Sequence, residues 1–180
     1  MVMLDRGAGF IGRVLIAAAL VAGFPSGQPA TAQDAISLGI EGWQQENGRD
    51  GIVYYRCASQ ICAAGSVVSY KAQPHRSNLT LEDFEKHHRM LAELNKGKGK
   101  IRDVRVSDAK SRTIEGVRVL QISREVDWAD NTTRFTIEAR LIGNSRSFSL
   151  VSDSPGREWT ANNFEGFLRP LISIAGIDAQ

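Results

Sequence analysis

Thr132-Thr133-Arg134-Phe135-Thr136-Ile137-Glu138-Ala139-Arg140-Leu141-Ile142 is the stretch that decides the fold class of this chain. Thr133, Phe135, Ile137, Ala139 and Leu141 alternate with Thr132, Arg134, Thr136, Glu138 and Arg140, so an extended backbone sends the two sets to opposite faces. One face is apolar and the other carries charge. That pattern predicts an antiparallel sheet with a covered inner face and a solvated outer face, because a parallel sheet covered on both sides reads as a continuous apolar run.

Working outward, Val117–Trp128 precedes this strand and Ser145–Ser152 follows it, while Ile101–Val106 begins the group. Glu115-Gly116, Asp130-Asn131 and Gly143-Asn144 punctuate the series where the backbone has to turn. Further upstream the period changes. Leu81, Phe84, His88 and Leu91 fall at helical spacing, and Thr80 with Asp83 forms an approximate capping box. This predicts a helix over Leu81–Leu94, stopped by Gly97 and Gly99. Before it, Ile52–Cys57 and Gly65–Lys71 are rich in β-branched and aromatic residues, and with Ile40–Glu46 they predict a three-stranded meander. After the second strand group, Trp159, Phe164, Phe167, Leu171 and Ile174 predict a closing helix, kinked or restarted near Pro170. The sum is an α+β fold: a curved antiparallel sheet with two packed helices.

The first 32 residues read as a signal peptide, to be cleaved before folding. Arg6 and Arg13 supply charge, Val14–Phe24 is an apolar run, and Ala30-Thr31-Ala32 offers small residues at a cut. A membrane anchor needs about 20 apolar residues, and this run has 11. Residues 33–180 then form a single α+β domain, expected to be periplasmic or secreted with no stable membrane insertion after cleavage. Removing Arg6, Arg13 and Asp5 takes 22 basic and 20 acidic residues to 20 and 19, a net charge of +1. So even a balance argues against a nucleic-acid partner.

Cys57 and Cys62 are the two cysteines of the chain. In an exported protein they read as a structural disulfide closing the first hairpin. A redox pair or half of a metal site is the rival reading, yet thiol exchange favours Cys-x-x-Cys at a helix N-terminus, and these flanks are strand-like. His87 and His88 are adjacent and point about 100° apart on a helix, which does not suit a metal. His88 falls on the apolar side and reads as a core histidine. Glu125, Asp127 and Asp130 read as solvent-facing carboxylates. No Gly-x-Ser-x-Gly elbow occurs, so neither a catalytic residue nor a cofactor or metal site is assigned. The chemistry that remains is a row of arginines through the second strand group. Arg118, Arg124, Arg134 and Arg140 are the candidate surface for an anionic ligand or a protein partner.

The order hairpin, helix, four strands, closing helix, with Gly42-Trp43 near the mature start and the aromatic pair Trp159 and Phe164, resembles the PsbP-like superfamily. The resemblance covers most of the mature chain and implies a non-enzymatic binding or assembly role outside the cytoplasm. The Cys57–Cys62 loop is not among the features that carry it. The expected function is therefore an exported, non-catalytic binding or assembly module. The alternative is an envelope enzyme or thiol-redox factor using the cysteine pair. A third reading, a ligand carrier, requires Trp159, Phe164 and Phe167 to line a cavity between sheet and helix rather than fill it.

Overall fold

A computed structural model describes residues 37–174. The expected signal peptide and cut lie outside them. The chain runs β1 (Trp43–Asn47), β2 (Val53–Cys57), β3 (Val67–Gln73), α1 (Leu81–Asn95), β4 (Ile101–Ile114), β5 (Val117–Trp128), β6 (Thr133–Ile142), β7 (Ser147–Ser154) and α2 (Arg157–Ile174). All seven strands join one open sheet in the order β1-β2-β3-β7-β6-β5-β4. Every neighbouring pair is antiparallel. The β3–α1–β4 crossover carries the chain to the far edge, and the later hairpins walk back until β7 pairs with β3.

Local sequence accounts for the joints. Thr80 caps α1, its Oγ1 accepting the Asp83 N–H at 3.1 Å. This satisfies one of the amide donors that a helix start leaves free. Glu115 and Gly116 both take positive φ, at 49° and 78°. A two-residue turn of that hand matches the twist of the β4 and β5 arms it joins.

The two faces are covered differently. On the inner face, α2 crosses β3, β7 and β6. Phe164, Phe167, Leu168 and Leu171 from α2 sink into a cluster with Val53, Tyr55, Val68, Leu141 and Leu150, all at 2% exposure or less. Phe167 meets Trp43 and Tyr55 edge-on, each with ring centres 5.0 Å apart. Trp159, by contrast, is 41% exposed, so the aromatics do not line a cavity as a ligand carrier of that design requires. On the outer face, α1 lies over β4 and β5, burying Phe84 against Leu120, Ile122 and Ile142. That face is therefore wet only in part.

One departure from the sequence reading concerns the extent of a strand. β4 runs eight residues beyond Val106, to Ile114. A bulge between Ser107 and Lys110, with Asp108 at φ 52°, breaks the alternation that would have revealed it. α2 holds Pro170 inside one helix, so of the two expected outcomes there the chain does not restart.

Candidate functional site

Pairing in β5 and β6 places all four expected arginines on the outer face. Arg118 stands opposite Ile142, Arg124 opposite Thr136, Arg134 opposite Val126 and Arg140 opposite Leu120. Their surroundings divide them. Arg134, near the β2–β3 loop, holds the Asp153 carboxylate and donates to the Gly65 carbonyl at 2.8 Å. Thr136 Oγ1 donates to the same Asp153 at 2.8 Å, so this end of the face is electrically closed.

The other three gather beside α1. Arg124 Nη2 donates to Glu138 Oε2 at 2.7 Å, and His88 Nδ1 stands 3.7 Å from that same oxygen. Arg118 Nη2 donates to the Ser77 carbonyl at 2.6 Å, tying down the loop that carries Arg76. Arg140 feels both Glu138 and Arg76, and burial is the largest influence on it, lowering its pKa from the ordinary arginine value. One carboxylate thus sits among two guanidinium groups, of Arg124 and Arg140, and an imidazole. The Nε atoms of Arg124 and Arg140 and the Nδ1 of His88 are shut off from solvent with no hydrogen-bond partner. Buried polar atoms are ordinarily satisfied, so such a group of orphans marks a place for an added acceptor or a rearrangement.

His88 is a core residue, as its position on the apolar stripe implies, at 4% exposure. Its ring packs edge-on to Phe84, with centres 4.5 Å apart. Burial pushes its pKa below the usual imidazole value; Glu138 opposes that, and Arg124, His87 and Arg140 add to it. Sequence reading did not connect His88 or Arg76 with the arginine row. The signal for His88 is its spacing from Phe84 on α1, but no local pattern tells which strand residues lie beneath that helix.

Of the expected solvent-facing carboxylates, Asp130 is exposed, whereas Asp127 and Glu125 are drawn into ion pairs. Asp127 is 8% exposed, and it accepts from Thr133 Oγ1 at 2.7 Å and from Arg105 Nη1 at 2.9 Å. These partners hold its carboxyl below the usual range, Thr133 most of all. Glu125 bridges Arg105 and Arg157. Their role is to pin β4 and α2 to β5.

Cys57 and Cys62 form the disulfide, with Cα atoms 5.8 Å apart. The bridge closes the loop after β2, and the Ala58 N–H donates to the Gly42 carbonyl at 2.9 Å. Gly42 takes φ 77°, and a Cβ there would strike Ser59 and Ile61, so the small residue lets the loop fold over the start of β1. Among the described residues, no group of three or more His, Cys, Asp or Glu side chains is gathered to hold a metal ion. No helix there is long and apolar enough to cross a membrane.

No family model and no curated protein matches this sequence. Among solved structures, the chain is similar to cyanobacterial PsbP (CyanoP) from Synechocystis sp. PCC 6803, with a TM-score of 0.51 and 16% identity over 74% of this chain and 81% of that one. At that identity the likeness is one of fold, and the chain has a PsbP-like fold.

Proposed function

We propose that this protein is an exported, non-catalytic binding or assembly module that docks an acidic segment of a protein partner on its outer face. Arg140 carries the reading: the carboxylate that acts on it, Glu138, is already engaged by Arg124, and the Arg140 side chain is only partly buried. A guanidinium in that position offers a planar fork to an incoming carboxylate. The PsbP-like fold supports a module over an enzyme, and the disulfide fits an oxidising compartment. In this reading residues 1–32 are removed on export, and residues 33–180 act as a single domain in the periplasm or outside the cell. A thiol-redox role gains no support from the bridge's position, since Cys57 ends a strand and no helix N-terminus stands there to stabilise a thiolate.

The test uses immobilised poly-glutamate and a salt gradient. Arg134→Ala and Arg140→Ala remove the same formal charge, so a surface without a site retains both variants equally. Docking at the α1 end predicts that Arg140→Ala elutes at clearly lower salt than Arg134→Ala. Identical elution of the two variants overturns the proposal.

A further inference from the structure

The inner face holds a second opening, reached at one end by Arg124. A cleft of about 420 Å³ lies between the first half of α2 and strands β4 to β6, within the usual range for small-molecule sites. Its origin is visible in β5. The inward residues Val117 and Val119 belong to the core, but the next two are Gln121 and Ser123, and the apolar packing under α2 gives way there. On the neighbouring strand the β4 bulge interrupts regular pairing and sets Lys110 directly opposite Gln121. Bulges recur beside functional sites because they re-aim side chains in this way.

Charges around the cleft fall into two groups. Arg157 is paired with Glu125 at 2.7 Å and lies 4.9 Å over the Phe135 ring; Glu165 is paired with Arg112. Those four are neutralised pairwise. Lys110 and Asp108 make no ion pair among the described residues, and Asp108 accepts only from the neighbouring Ser107 Oγ, at 3.2 Å. One free cation and one free anion therefore stand on the same wall. Gln121 lines the cleft at 3% exposure, and its Oε1 has no hydrogen-bond donor. Phe135, Ile137 and Ala161 supply apolar lining.

We infer that this cleft binds a small zwitterion with an apolar side chain, an amino acid or a short peptide. The ligand carboxylate pairs with Lys110, its ammonium with Asp108, and an N–H supplies the donor that Gln121 Oε1 lacks. The side chain lies against Phe135 and Ile137. Both charges of the ligand are used, so a neutral analogue with the same side chain binds less well.

L-leucine and leucyl-leucine, titrated into the purified protein while the backbone amide NMR signals are followed, test this. Saturable shifts at Lys110, Gln121 and Ser123 are expected. Lys110→Ala and Gln121→Leu should each weaken binding by about tenfold, the usual scale for a lost charged or buried hydrogen bond. Lys86→Ala, an exposed change on α1, should bind as the wild type does. Failure of both zwitterions to give saturable shifts overturns the inference. So does binding of N-acetyl-leucinamide at equal or higher affinity, because that compound carries the side chain without either charge.

Discussion

β5 and β6 serve both faces of the sheet with the same backbone, and the two sides have opposite character. Inward, Val117, Val119, Ala139 and Leu141 meet α2 in a sealed apolar layer. Outward, Arg118, Arg124, Glu138 and Arg140 meet α1 across a layer in which buried nitrogens lack partners. Apolar burial is non-directional and tolerates no vacancy, whereas charged groups demand partners in particular directions. Stability rests chiefly on the sealed part of the inner layer, and the partner-facing charges lie on the outer one.

The largest expected effect breaks the inner layer. Phe167→Ala removes a ring at 1% exposure that touches two other aromatics, and should cost about 3–5 kcal/mol in urea unfolding. A loss similar to that of an exposed substitution would mean α2 is not the main clamp. On the outer layer, Glu138→Gln keeps the shape and removes the charge shared by Arg124 and His88. With Arg124 and Glu138 side chains 23% and 21% exposed, a cost of about 1–2 kcal/mol is expected, between the surface and buried limits. The same variant should bind poly-glutamate more strongly than the wild type, so stability and retention move in opposite directions. Parallel movement would join the two layers into one functional unit.

The smallest effect concerns acid. His88 has a folded pKa depressed below its usual 6.5, so on acidification the unfolded chain takes up a proton before the folded one does. The stability tied to neutral His88 is fully present above about pH 6.5 and is lost as pH falls toward the folded value. His88→Gln should flatten that part of the stability profile, measured by urea unfolding at stepped pH. An unchanged slope would place the acid sensitivity elsewhere.

Regular periodicity made much of this architecture readable. The alternation in β6 announced the sheet, and Thr80 with the Leu81, Phe84 and His88 spacing announced α1. What failed had specific causes. The second half of β4 was hidden because the bulge at Asp108 breaks the two-residue period, and Lys110 and Arg112 look like loop residues. Trp159 lies five residues before Phe164, about 140° around an α-helix, and so leaves the buried stripe. For the candidate surface, the spacing of Arg134 and Arg140 put them on one face. That Arg134 is neutralised depends on Asp153, brought near by the pairing of Thr136 with Asp153. Long-range register of that kind is not written locally.

β4 is also the last strand of an open sheet, and an edge strand 14 residues long is a template onto which a second chain can hydrogen-bond. The bulge divides that edge, and the charged residues Arg102, Asp103, Arg105, Asp108, Lys110 and Arg112 are strung along it. Removing the extra residue would straighten β4 into one continuous ladder of unpaired amides, turning the border of the sheet into a seed for fibrous self-assembly.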